Sequence, residues 1–226
     1  MCIWPSKLVE TCWSFKAVQD FLIQGDLMRR ATLADVDLIK NILLVSFRND
    51  PHVTWLLEES KNKFKLTVLI DYVVHQTLRR GEIYLSDDNN AVALWDCERN
   101  ERVSFHYIWR NLAFLIQIGI KSVVRIVKSE AQVHNNFGKY PRYCHLYMIG
   151  VLPEEQGKGL ASALMNPMIQ RMKEKSIPVF LETANLRNVD IYKKKGFKIF
   201  KTLTIGDQNL FLMSTESQNA GSIAPA

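Results

Sequence analysis

The strongest constraint on the fold of this chain is the turn Gln156-Gly157-Lys158-Gly159-Leu160-Ala161, because of what stands on either side of it. Before it runs the apolar stretch Cys144 to Leu152, closed by Pro153, which reads as a buried strand. After it, Leu160, Leu164, Met168 and Met172 recur every four residues along one helix face. The glycines therefore sit in a strand-to-helix turn. Such a turn offers unpaired backbone N–H groups and the positive end of a helix dipole. Gly157 and Gly159 lack a Cβ, so a ligand can come close to the backbone there. A phosphate or pyrophosphate is the natural occupant.

Two common glycine-loop motifs are absent from this turn. In a P-loop a lysine follows the second glycine and is itself followed by Ser or Thr, whereas here Lys158 precedes Gly159 and Leu160 follows. A dinucleotide fingerprint needs a third glycine at the first strand of a βαβ unit, and this turn has Ser162 there and lies late in the chain.

The segment that follows narrows the reading. A short strand, Ile177 to Thr183, leads into Ala184-Asn185-Leu186-Arg187-Asn188 and on to Tyr192-Lys193-Lys194-Lys195-Gly196-Phe197. The second part is a short helix with Gly196 as its stop and lysines in its last turn. With these residues the chain resembles the GNAT-type N-acetyltransferases. Their pattern is [QR]-x-x-G-x-[GA] after a strand, then a strand, an Asn, and a helix ending in Tyr-x-x-x-Gly-Phe. Gln156, Gly159 and Ala161 match the first part, and Asn185, Tyr192, Gly196 and Phe197 match the second. The strong resemblance covers about His145 to Phe197, and from Met28 to Val127 it is one of layout.

The resemblance implies an α/β (α+β) fold, in which helices flank a mixed, mostly antiparallel central sheet of six to seven strands. It implies one acetyltransferase domain over 28–214, with a helical insertion at about 103–136 between strands 3 and 4. Residues 1–27 then read as an extension upstream of a start at Met28, and 215–226 as a flexible polar tail. Thr32 reads as the cap of a first helix with Val36, Ile39, Leu43 and Phe47 inward, ended by Asn49-Asp50-Pro51. A second helix follows over about 61–80. Ile83–Ser86 and Ala91–Trp95 form a hairpin, and the last two strands fall at about 198–205 and 209–214.

The implied cofactor is acetyl-CoA. Its pyrophosphate would lie on Gln156, Gly157, Lys158, Gly159, Leu160 and Ala161. In such enzymes the fourth strand splays from the fifth beside a bulge, so the backbone at Ile149, Gly150 and Val151 would meet the pantetheine arm and polarise the thioester. Gly150 fits a bulge or a close backbone approach. Asn185 and Asn188 would face the cofactor, and Tyr192 would protonate the leaving sulfur. The general base stays open between Glu182, taken first, His145, and water. His145, Tyr147 and Trp109 are candidates for the acceptor pocket. Pro167 is expected to kink the long helix.

The implied reaction is direct transfer of acetyl to the primary amine of a small molecule, by an enzyme similar to puromycin acetyltransferase. Transfer to a protein N-terminus or lysine, and a non-catalytic acyl-CoA-binding module, are the alternatives.

Composition agrees with one globular domain: 226 residues, 47% hydrophobic and 23% charged. A net charge of +6 suits an anionic cofactor, and no basic stripe interleaved with aromatics points to nucleic acid. The most apolar stretch, Leu112 to Val127, is broken by Gln117, Lys121 and Arg125 and is too short for a membrane span. Cys2, Cys12, Cys97 and Cys144 form no metal or disulfide framework, which reads as free thiols in the cytoplasm, and no metal site is expected. Monomer and homodimer are both compatible with the chain.

Overall fold

The computed structural model describes residues 28–58, 63–97, 113–137 and 140–215. Seven strands form one sheet in the order β1-β2-β3-β4-β5-β7-β6. They are β1 Met28–Arg30, β2 Glu82–Ser86, β3 Ala91–Asp96, β4 Cys144–Val151, β5 Val179–Thr183, β6 Phe197–Ile205 and β7 Gln208–Thr215. Every neighbouring pair is antiparallel except β4 with β5.

That parallel pair is joined only at its start, through Cys144 with Val179 and His145 with Phe180. Beyond His145 the two strands part, and a V-shaped gap opens in the middle of the sheet. The gap is where the sheet changes from its N-terminal to its C-terminal half, and it positions everything that follows.

A bulge re-aims β4 at this point. Leu94 pairs with Met148 but the next residue, Trp95, pairs with Leu146, which leaves Tyr147 as the extra residue. His145 and Tyr147 face one side of the sheet by ordinary alternation. After the bulge the phase inverts: Met148 joins that same side, while Ile149 and Val151 join Leu146 on the other. The sequence left Gly150 open between a bulge and a close backbone approach, and the bulge falls at Tyr147 instead. Gly150 is a glycine for the second reason considered, close approach. A Cβ there would lie 2.9 Å from Ser46 Oγ and 3.2 Å from Leu43 Cδ2 of the helix packed on it.

That helix, α1 Val36–Ser46, follows a single 3-10 turn over Leu33–Asp35. Thr32 and Asp35 form a reciprocal capping box at its start, and Arg29 of β1 forks onto Asp35 at 3.1 and 2.7 Å. Asp50-Pro51 ends this run but also begins another element, α2 Pro51–Leu57, with Asp50 accepting from the Val53 amide and Pro51 in the first turn. The sequence reading took those residues only as a stop.

Helix α3 spans Lys63–Arg80. Residues 113–118 are helical, and α4 Ile120–Phe137 follows, so the described part of the insertion is helical as expected. Helix α5 is Leu160–Glu174 and α6 is Leu186–Lys193. Helices α1 and α3 cover one sheet face through Ile39, Leu43, Ile70 and Val74. Helix α5 covers the other through Leu164, Met165, Met168 and Met172, and runs unbroken through Pro167. A third cluster joins Val133 and Phe137 of α4 to Phe180, Leu210 and Leu212, with Phe137 stacked on Phe180 at 4.6 Å between ring centres.

Cys97 and Cys144 stand opposite one another at the ends of β3 and β4 and are bonded sulfur to sulfur, where the sequence was read as free thiols. None of the helices among the described residues is long and apolar enough to cross a membrane.

Candidate active site

Three elements meet at the β4–β5 gap. At one mouth lies the glycine turn. A 3-10 turn over Pro153–Glu155 hands the chain to Gly157 at φ 84° and Gly159 at φ 89°, the latter capping α5. These are left-handed conformations that glycine adopts without strain. The amides of Gly157, Gly159, Leu160 and Ala161 have no hydrogen-bond partner among the described residues. A Cβ added at either glycine would meet nothing within 4 Å, so the turn is open to a ligand. With fifteen residues of α5 behind it, the turn meets the electrostatic and steric requirements of a pyrophosphate. This is the fit that acetyl-CoA demands. Two exposed side chains of the turn make local contacts. Gln156 Nε2 donates to the Val151 carbonyl at 3.3 Å, and Lys158 Nζ pairs with Glu155 at 2.8 Å.

Along the gap, β4 beyond His145 has lost its strand partner on the β5 side. Ile149, Gly150 and Val151 lie on this stretch, with Ser46 Oγ donating to the Val151 carbonyl at 3.1 Å. Across the gap, α6 begins at Asn185, whose Oδ1 accepts from the Arg187 amide at 3.0 Å. That is a helix cap, and it leaves the Asn185 side-chain amide for another partner. Asn188 lies on the same short helix, half-buried.

Tyr192 is buried near the end of α6, its ring edge-on to Phe197 at 6.0 Å. Its hydroxyl makes no hydrogen bond among the described residues. Burial, then the charges of Glu182 and Asp50, push the phenol well above its ordinary range. Tyr192 therefore holds its proton.

On the opposite sheet face, Glu182 of β5 reaches back to His145 of β4, with His145 Nε2 2.7 Å from Glu182 Oε2. His145 is 2% exposed at the side chain and Glu182 15%. Phe137 closes one side of the imidazole, edge-on at 5.1 Å. Burial pushes this imidazole down, but the charge and hydrogen bond of Glu182, with Glu130 and Asp96 beyond, outweigh it and the net shift is upward. Glu182 and His145, separate candidates in the sequence, are one hydrogen-bonded pair.

A second chain of polar groups flanks the first. The Tyr147 hydroxyl donates to Glu130 Oε1 at 2.9 Å, His134 Nε2 lies 3.3 Å from Glu130 Oε2, and His134 Nδ1 lies 3.3 Å from the Tyr143 hydroxyl. Burial pushes the Glu130 carboxyl up, but hydrogen bonds from His134 and Tyr147 and the charge of His145 hold it below its ordinary range. Sequence reasoning missed Glu130 and His134. Their spacing of four along the insertion is a helix-face signal, but nothing local ties that face to β4. It also missed His52 and Asp50 on α2. Trp109 lies outside the described residues.

Residues 130–197 match the family model described as Acetyltransferase (GNAT) family. The match covers β4, the glycine turn, α5, β5 and α6. An uncharacterised N-acetyltransferase of Schizosaccharomyces pombe is 24% identical over 182 residues, which is 75% of this chain and 73% of that protein. Among solved structures, one titled histone acetyltransferase HPA2 and related acetyltransferase, from Corynebacterium glutamicum, aligns with TM-score 0.59 at 20% identity, over 88% of this chain and 98% of that one. Arylalkylamine N-acetyltransferase 2 of Aedes aegypti aligns with TM-score 0.59 at 12% identity, over 83% and 97%. The sheet described above is the fold of these structures. The chain is an enzyme, an acetyl-CoA-dependent acyltransferase, and its similarity to the GNAT family model is confined to residues 130–197.

Proposed function

We propose that this GNAT-type acyltransferase moves acetyl from acetyl-CoA directly to the primary amine of a small molecule. One observation carries the reading. The Glu182–His145 pair bridges β4 and β5 where their pairing ends, the open glycine turn follows the end of β4, and the charge of Glu182 acts on the buried Tyr192 phenol.

When bound, acetyl-CoA supplies the activated thioester. The amides of Gly157, Gly159, Leu160 and Ala161 bind its pyrophosphate, with the α5 dipole behind them. The edge of β4 at Ile149, Gly150 and Val151, unpaired with β5, would hold the pantetheine arm as a further strand would, and an amide there would stabilise charge on the thioester oxygen. Asn185, through its free side-chain amide, and Asn188 hold the arm from α6. The Glu182–His145 pair takes the proton of the attacking amine. Tyr192, held protonated by burial and by neighbouring carboxylates, keeps a proton for the leaving sulfur.

The acceptor side favours a small amine. Helix α2, helix α4 and the β6–β7 turn are fastened together there around Trp55. The Arg125 guanidinium lies over the Trp55 ring at 5.2 Å and donates to its carbonyl at 2.7 Å. Gly206 packs so closely on the indole that a Cβ would strike it, and Gln208 Nε2 donates to the Pro51 carbonyl at 3.0 Å. A peptide lying across the sheet would have to part these elements. The name of the Aedes relative, an arylalkylamine acetyltransferase, agrees with a small amine.

The test is thiol release from acetyl-CoA against a panel of primary amines and a free N-terminal peptide. Release with small amines and none with the peptide is expected. Release with the peptide alone would move the reading to a protein acetyltransferase. Tight acetyl-CoA binding without release for any acceptor would mark a non-catalytic binding module.

A further inference from the structure

His52 stands in the first turn of α2. Its Nε2 lies 3.2 Å from Ser129 Oγ of α4, while its Nδ1 is buried and has no hydrogen-bond partner among the described residues. A buried polar atom without a partner costs about 1–3 kcal/mol, which a hydrogen bond from a ligand would relieve.

The electrostatic surroundings locate this atom. Glu182 and Asp50 are the two carboxylates whose charges act on Tyr192, and both act on His52 as well, together with Glu130. The contacts agree: Ser129, which meets His52, precedes Glu130, whose Oε1 accepts from Tyr147 at 2.9 Å, and the Tyr147 ring stands edge-on to His145 at 5.5 Å. Burial outweighs those carboxylates and keeps the imidazole below its ordinary range, hence neutral at working pH. A neutral imidazole has one donor nitrogen and one acceptor nitrogen. In the tautomer whose Nε2–H donates to the Ser129 hydroxyl, Nδ1 is the acceptor. An approaching amine brings N–H donors and, as an ammonium, a charge that the neighbouring carboxylates attract.

Building on the amine-acetyltransferase reading above, we infer that His52 Nδ1 accepts a hydrogen bond from the acceptor amine and positions its nitrogen for attack. His52 is then a positioning residue and sets amine affinity, while the Glu182–His145 pair remains the base. The two replacements that divide its nitrogens test this. His52→Gln keeps a polar atom near the place of Nε2, facing Ser129, and loses the one near Nδ1. His52→Asn keeps a polar atom near Nδ1 and loses the contact with Ser129.

The measurements are steady-state kinetics with phenethylamine, putrescine and a free-amine tripeptide, thermal unfolding, and the ¹⁵N shift of His52 during amine titration. His52→Gln is expected to raise the amine KM about tenfold, the factor that 1.4 kcal/mol represents, with the acetyl-CoA KM and the unfolding temperature held. His52→Asn should return the amine KM toward the wild-type value. In the wild type, amine should shift the His52 Nδ1 resonance. An unchanged amine KM in His52→Gln overturns the inference. So does equal impairment of both variants accompanied by earlier unfolding, because it assigns His52 a structural role through Ser129. Should the wild type acetylate none of the amines, the transfer reading fails by itself. The titration then decides this inference separately: a shifted Nδ1 supports it and an unmoved one overturns it.

Discussion

His145 Nε2 and Glu182 Oε2 meet at 2.7 Å where the last rung joining β4 to β5 sets His145 opposite Phe180, two residues before Glu182. The two strands are still paired at His145 with Phe180, so the residues that follow on the same face can reach one another before the gap widens. A base formed this way is held by the sheet itself. The net upward shift of His145 has a definite consequence for pH. A folded value above the unfolded one, about 6.5, means the interaction stabilises the fold fully below that pH and is lost as pH rises through the folded value. Glu182→Gln should therefore lower the unfolding temperature more at about pH 6 than at pH 9, and should move the NMR titration of His145 downward, since burial is then less opposed. An unmoved His145 titration would count against the pair. The activity of the wild type should rise with pH along a limb set by His145, lying above the ordinary imidazole range.

Tyr192 offers the sharpest test of chemistry. Its hydroxyl makes no hydrogen bond among the described residues, and its proton is retained across the working range. Tyr192→Phe preserves the packing against Phe197 and removes the proton. A general acid contributes typically 10²–10⁴-fold, so kcat should fall at least a hundredfold with both KM values little changed. A fall of less than threefold would mean that solvent protonates the sulfur.

Much of this was legible from the chain. The strand-to-helix turn at Gln156–Ala161, the Asn185 cap and the helix ending after Tyr192 follow local rules, while the sheet of six to seven strands came with the resemblance. What escaped is what depends on distant segments meeting. Alternation could place Tyr147 beside His145, but no local signal marks Tyr147 as the residue β3 skips. Gly150 looked like a bulge because a glycine in a strand has two causes, and only the position of Ser46 and Leu43 separates them. Glu130 lies in the insertion, and its partner Tyr147 is on β4. Asp50-Pro51 was ambiguous in itself, since the same pair ends one helix and starts another.

The glycine turn makes a separable claim on the cofactor. Gly159 sits at φ 89°, where a side chain is strained by roughly 1–2 kcal/mol, and an added Cβ points into open space. Gly159→Ala should thus cost modest stability while crowding the place a pyrophosphate would occupy. Acetyl-CoA binding, followed by calorimetry, should weaken on the order of tenfold, while the amine KM stays the same. Equal affinity in the variant would remove the pyrophosphate from this turn.

Trp55 governs the acceptor side. It is gripped from α4 by Arg125, which also reaches Glu58 at 3.5 Å, and from the β6–β7 turn by Gly206. If this clamp restricts the acceptor to small amines, loosening it should widen the range without touching the base or the acid. Trp55→Ala removes the indole on which both contacts rest and should destabilise the fold by a few kcal/mol, as large-to-small changes of half-buried aromatics do. Among the molecules that remain folded, the kcat/KM ratio of a bulky amine to a slender one should rise several-fold, and the acetyl-CoA KM should not move. Comparing phenethylamine with a naphthyl-substituted analogue in both proteins measures that ratio. A ratio that stays at the wild-type value would mean the acceptor does not approach past Trp55 at all, and would turn attention to the gap's opposite face at Asn185 and Asn188.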